Sequence, residues 1–225
     1  MKKIKSFRPF WILLSVMAGL AALLVLLASV GVFRNYRYDE SGFTVGGGSV
    51  EGTVRTLDID WLNGPIRIEL SEDDRYLSVS EYAAGELGTQ EQLRWKLDAD
   101  GTLTVRARAS VGFLLQTPEA KVLVIRIPSA LAGELAGLSI QTRSRADIEL
   151  SLLPDETTLT ADQSGTRLTL PENAGFTLRC QGVTPTPVGP AWEERDGSYV
   201  RLDGRAALTV SGKGELLVYT KKSAD

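Results

Sequence analysis

The chain has 225 residues, with 25 Lys and Arg against 28 Asp and Glu, no histidine and one cysteine, Cys180. Without histidine there is no Ser-His-Asp or Cys-His nucleophilic site, no His-containing zinc site and no imidazole general base, and a lone cysteine cannot form an intramolecular disulfide. Charge is unevenly divided: residues 1–34 hold Lys2, Lys3, Lys5, Arg8 and Arg34 and no acid, whereas the remainder sets all 28 acids against the other 20 bases, a net −8 that argues against nucleic acid as a partner.

In chain order, residues 1–9 form a basic tail. Phe10–Phe33 is an uncharged run of 24 residues, rich in Leu, Val, Ala and Ile. At about 1.5 Å per helical residue it reaches roughly 36 Å, more than the ~30 Å hydrocarbon core requires. Trp11 near one end and Tyr36 and Tyr38 past the other suit the two interfaces. Lys2, Lys3, Lys5 and Arg8 before the run outweigh Arg34 and Arg37 after it, which sets the N-terminus in the cytoplasm. The run predicts one transmembrane α-helix over residues 10–33, in a single-pass protein of the cell membrane with its C-terminal domain extracytoplasmic. A cleaved signal peptide is the competing reading, against which the run is long and Ala28-Ser29-Val30-Gly31 a poor cleavage site.

Residues 34–52 contain the run Gly46-Gly47-Gly48 and no periodicity, and predict a flexible stalk. A phosphate-cradling glycine loop would need a buried strand before it and a helix opening with Lys and Ser or Thr after it, and the sequence has neither.

From Thr53 onward apolar residues alternate with polar ones, the period of a half-buried strand. Leu57, Ile59 and Trp61 lead into the turn Asn63-Gly64-Pro65, followed by Ile66, Ile68 and Leu70, then Leu77 and Val79. Leu93, Trp95 and Leu97 run into Asp98-Ala99-Asp100-Gly101 and out through Leu103, Val105 and Ala107, a hairpin signal. Residues 121–127 (KVLVIRI) are apolar on both faces and predict a central strand covered on both sides. Later alternations comprise Leu138/Ile140, Ile148/Leu150, Leu159/Ala161, Leu168/Leu170, Phe176/Leu178/Cys180, Val200/Leu202, Leu208/Val210 and Leu216–Tyr219. Helix is compatible only with residues 82–93 and 129–137. Residues 57–70 (LDIDWLNGPIRIEL), 138–150 (LSIQTRSRADIEL) and 159–170 (LTADQSGTRLTL) each read strand, polar turn, strand, and the last two begin 21 residues apart. The expected fold over residues 53–225 is all-β and β-solenoid (β-helix)-like, with a β-sandwich as the alternative.

The basic start with a single span, the LDIDWLNGPIRIEL stretch and the LSIQTRSRADIELSL and TLTADQSGTRLTL segments resemble the putative-adhesin-like β-rich domain family of bacterial envelope proteins, over about residues 53–220. The resemblance implies an extracytoplasmic β-helical domain, in a family sometimes linked to envelope-stress responses, and it supplies no catalytic residues. The proline-rich stretch TPTPVGPAWEE, residues 184–194, departs from the family's regular strand spacing.

Carboxylates are the abundant reactive side chains. Glu69, Glu72, Asp73 and Asp74 cluster after one strand, and Asp147 and Glu149 alternate along another. Glycoside hydrolysis needs two carboxyl groups facing across a cleft, whereas a solvated strand face explains these groups without chemistry. Asp98-Ala99-Asp100-Gly101 places its glycine where a hairpin wants it rather than where a calcium loop does. Cys180 continues the apolar face of Phe176 and Leu178 and reads as an inert core thiol, with Arg179 on the opposite face. Trp61 and Trp95 sit in core registers. Trp192, followed by Glu193, Glu194 and Arg195, either contacts a glycan or partner protein or tucks back to close the end of the domain.

The expected function is a membrane-anchored binding module of the cell envelope, with an envelope protein or cell-wall glycan as partner and Trp192, Glu193 and Glu194 as contacts. No catalytic residue, cofactor or metal is expected. The alternatives are a carboxylate-based polysaccharide hydrolase and a structural protein that assembles through its strand edges.

Overall fold

A computed structural model describes residues 14–22, 41–62, 64–108, 120–162, 165–189 and 192–221, in two units, Met1–Ser41 and Gly42–Asp225. In the first, residues 14–22 are helical with exposed side chains. The rest of the expected 10–33 span, the 1–9 tail and the flanking aromatics Trp11, Tyr36 and Tyr38 lie outside the described residues. Among the described residues no helix is long and apolar enough to cross a membrane.

The second unit is all-β, as the alternation predicts. Its strands are β1 (Thr44–Val45), β2 (Gly48–Val50), β3 (Thr56–Trp61), β4 (Ile66–Ser71), β5 (Leu77–Tyr82), β6 (Arg94–Leu97), β7 (Thr102–Arg106) and β8 (Val122–Pro128). After a 3-10 segment, Ser129–Glu134, come β9 (Gly137–Thr142), β10 (Asp147–Leu150), β11 (Glu156–Ala161), β12 (Thr166–Pro171), β13 (Phe176–Val188), β14 (Glu193–Arg195), β15 (Ser198–Arg201) and β16 (Ala206–Lys221). The 3-10 turn is all that forms of the two helices considered; residues 83–93 are loop and turn, tied by the Arg94 guanidinium to the carbonyls of Thr89 and Gln92.

The strands make two ladders. The first runs β1-β6-β7-β3-β9-β11 and continues through the leading halves of β16 and β13 to β15 and β14; the second runs β2-β5-β8-β4-β10-β12 and continues through the trailing halves of β16 and β13. The inner pairings are parallel and those at the β1 and β2 ends antiparallel. Inward residues of both ladders, among them Leu57, Ile59 and Trp61 of the first and Ile66, Ile68 and Ile148 of the second, form one buried cluster. Fully burying such a side chain is worth about 1.5–3 kcal/mol, which makes this shared core the main stabilising term.

Strand pairs β3–β4, β9–β10 and β11–β12 each give one strand to each ladder, as coils of a solenoid would. Two features leave the expected solenoid unestablished: the sheet is mixed and not closed, and β16, last in sequence, lies between β11–β12 and β13. β8, expected to be central, lies between parallel β4 and antiparallel β5. Val200 belongs to β15, but Leu202 falls outside any strand, with φ 54° and 65% exposure, because the chain turns there toward β16.

Residues 44–50, expected within a flexible stalk, are ordered by pairing: β1 borders the first ladder and β2 the second. The glycines are there for close approach. A Cβ on Gly47 would stand 2.7 Å from the Val79 carbonyl oxygen, Gly46 has φ 77°, and its carbonyl accepts the Trp95 indole N–H at 3.0 Å. Gly46 and Gly47 let the chain pass from one ladder edge to the other, over a core that Val50 enters at 1% exposure.

Candidate binding face

On the outer side of the second ladder, register aligns Arg67 with Glu149, Glu149 with Thr169 and Thr169 with Tyr219. Their strand neighbours Ile66, Ile68, Ile148, Leu168 and Val218 point into the core, so strict alternation fixes the polar row outward. Three cross-strand ion pairs join β4 to β8, β10 to β12 and β10 to β16: Glu69 with Arg126 at 3.5 Å, Asp147 with Arg167 at 3.8 Å, and Glu149 with Lys221 at 2.7 Å. As exposed pairs each contributes at most about 1 kcal/mol to stability. Their larger consequence is positional, because each long side chain is held by a strand distant in sequence.

Within this face lies an open groove of about 380 Å³, lined by Arg67, Asp147, Glu149, Arg167, Thr169 and Tyr219, with Pro65 at one end. It offers a half-buried phenol ring, a hydroxyl, two paired carboxylates and two guanidinium groups. That set suits a polar ligand with a flat face for the ring and oxygen atoms for the donors.

The predicted site residues separate. Asp147 and Glu149 belong to this face, two residues apart on one strand and on the same side of it, each paired with a cation. Glu69 lies on the same ladder, whereas Glu72, Asp73 and Asp74 are in an exposed bend beyond β4. Among the described residues no three His, Cys, Asp or Glu side chains gather to hold a metal. Asp98–Gly101 is the β6–β7 turn: the Asp98 carbonyl accepts from Gly101 N–H at 3.0 Å, Gly101 has φ 86°, and Asp100 Oδ1 accepts from Thr102 N–H at 2.9 Å. That backbone donor and the Thr102 hydroxyl hold the Asp100 carboxyl below its ordinary range. Cys180 is half-buried against the core, and desolvation pushes its thiol up.

Trp192 turns inward. It packs edge-on against Phe176 (ring centroids 5.7 Å apart) and Tyr199 (6.0 Å) and closes the β13–β15 end, while Glu193 and Glu194 remain exposed on β14. Of the two readings of Trp192, the geometry matches the second. Trp61 is buried and Trp95 packs against the core as expected.

Sequence reasoning passed over Arg67, Arg167, Thr169, Tyr219 and Lys221. Their signal was present in the alternation, since each occupies an outward position. The strand order that brings β16 beside β12 was not, and without it Tyr219 is one more outward residue of a terminal strand.

No protein-family model and no curated protein matches the chain. Among solved structures it is similar to a putative cell adhesion protein from Clostridium sporogenes, at 10% identity and TM-score 0.49 over 80% of this chain and 100% of that one. It is also similar to a putative adhesin from Parabacteroides distasonis, at 10% identity and TM-score 0.36 over 80% and 67% of the two chains, and to one from Bacteroides fragilis, at 9% identity and TM-score 0.26 over 80% and 97%. The names agree with the adhesin-like resemblance of the sequence, but likenesses this distant carry no argument about family or function.

Proposed function

We propose that the chain is a single-pass, membrane-anchored protein of the cell envelope. Its extracytoplasmic domain, a solenoid-like stack of the putative-adhesin-like type, binds a cell-wall glycan or an envelope protein and performs no catalysis. The observation that carries the binding reading is the groove around Tyr219, an aromatic ring set among donors and acceptors fixed in place by ion pairs between distant strands. Preorganised side chains lose less freedom when a ligand arrives. The anchor is supported by the 24-residue uncharged run behind a basic tail. The absence of catalysis is supported by the disposition of Asp147 and Glu149, which share one side of one strand instead of facing each other across a bond to be cut.

The test uses the full-length chain in detergent micelles, titrated with cell-wall polymers and with solubilised envelope proteins. Binding that weakens at least tenfold in Tyr219→Ala is the expected result. Turnover of a polysaccharide that is lost in Asp147→Asn or Glu149→Gln would replace the binding module with an enzyme. The membrane orientation is tested separately, by protease cleavage of the domain in intact spheroplasts but not in inverted vesicles.

A further inference from the structure

We infer that the ligand of this face is an anionic glycan, a polymer whose sugar rings lie on Tyr219 and whose acidic groups are met by Arg67. The inference rests on the binding reading and names its ligand class. It begins with the charge balance of the face. Glu69, Asp147 and Glu149 each hold a cation of their own: Arg126, Arg167 and Lys221. Arg67 remains. It is exposed, it lines the groove, and among the described residues it has no ion pair or hydrogen bond to its side chain. Its acidic neighbour in register, Glu149, is engaged by Lys221 from the opposite side at 2.7 Å.

An exposed guanidinium without a carboxylate presents a planar fork of donors that matches a carboxylate or phosphate in bidentate fashion. At the other end of the same row, across Glu149 and Thr169, stands the Tyr219 ring. Neighbouring strands are about 4.8 Å apart, so Arg67 and Tyr219 are separated by roughly 14 Å. A small anion cannot reach both, whereas an extended chain that repeats rings and acids can. The net −8 of residues 35–225 gives no long-range pull on an anion, so recognition depends on contact at this row. The lining also lacks the large apolar centre that a protein interface usually has, which favours a glycan over an envelope protein.

The experiment titrates the full-length chain in nonionic detergent with three polymers: polygalacturonate, which carries carboxylates; poly(glycerol phosphate), which carries phosphates without sugar rings; and neutral dextran. The expected result is binding of polygalacturonate at least tenfold tighter than dextran, weakened at least tenfold by Arg67→Gln and by Tyr219→Leu. Arg75→Gln, the same charge change beside Tyr76 and outside the groove, leaves it unchanged. Poly(glycerol phosphate) binding that depends on Arg67 but not on Tyr219 would show that the anion alone is read, and would overturn the glycan half of the inference. Equal binding of dextran and polygalacturonate, lost in Tyr219→Leu but not in Arg67→Gln, would overturn the anionic class and leave the binding face standing. If no polymer binds, the ligand class fails; if, in addition, envelope proteins bind both groove variants as well as the parent, the face itself fails too. Circular dichroism melts of each variant separate lost binding from lost folding.

Discussion

Lys121 and Glu81 form a buried ion pair, with Nζ 3.2 Å from Oε2 and side chains 7% and 5% exposed. Both are fully engaged: the ammonium also donates to the carbonyls of Glu91 and Arg108, and Glu81 Oε1 accepts from Leu93 N–H at 2.5 Å. The pair ties the β5–β8 edge of the second ladder to the chain entering β6, and the Lys121 carbonyl accepts the Trp61 indole N–H at 3.0 Å. Removing one partner strands the other without water, so Lys121→Met is expected to cost about 3–5 kcal/mol in urea denaturation. The double variant Lys121→Met/Glu81→Leu should recover most of that loss, and failure to recover it would mean that the carbonyl contacts, not the charge pair, carry the stability. Cys180 illustrates burial acting on a single group. Its raised thiol pKa stabilises the fold while the thiol is protonated, in full below the unfolded value of about 8.5, and that contribution is lost as pH rises through the folded value. Native protein at pH 8 should react with a thiol-specific disulfide reagent several-fold more slowly than urea-unfolded protein, and equal rates would count against the burial.

At the scale of elements, alternation made nearly every strand legible, because period two is imposed wherever one face is wet and the other dry. Register was less legible. The stretches beginning at Leu57 and Leu138 pair as written, Leu57 beside Leu138. The third slips by two: Leu159 pairs with Ile140 rather than Leu138, a spacing of 19 residues instead of 21. A slip of one would turn every side chain to the wrong face, but a slip of two preserves inside and outside, so the hydrophobic pattern cannot detect it. The glycine run 46–48 was misread for a related reason, since sequence alone does not separate glycine used for mobility from glycine used for close approach. Gly212 shows the second use most sharply. It bends β16 from one ladder into the other at φ 149°, and a Cβ there would fall 1.8 Å from the Ala161 carbonyl oxygen. Gly212→Ala should lose about 1–3 kcal/mol from backbone strain alone, read as a drop in the melting midpoint. Gly133→Ala, whose Cβ would meet nothing within 4 Å, should move it little.

At the scale of the molecule, the ladders are open and their four ends need covering, because an exposed strand edge invites another chain. At the first end the short β1 and β2 border one ladder each. At the far end of the first ladder the β14–β15 hairpin covers β13, with Trp192 beneath it. The far end of the second ladder is different: residues 183–188 of β13 pair with 214–219 of β16 and, among the described residues, with no strand on their other side. That edge carries Pro185 and Pro187. Alternate residues of a strand direct their N–H groups to the same edge, so two prolines spaced by two remove two donors from one edge only. Because pairing with β16 is continuous through both, the depleted edge is the outer one. The prolines that interrupted the expected strand spacing thus act as an end stop, and they argue against assembly through this edge. Pro185→Thr/Pro187→Thr restores both donors without adding an apolar surface. The full-length variant in detergent should associate as its concentration rises, read by light scattering with the detergent mass subtracted, while the parent chain keeps one mass over the same range. A parent that already dimerises, or a variant that stays monomeric, would mean that something other than these two missing donors guards the edge.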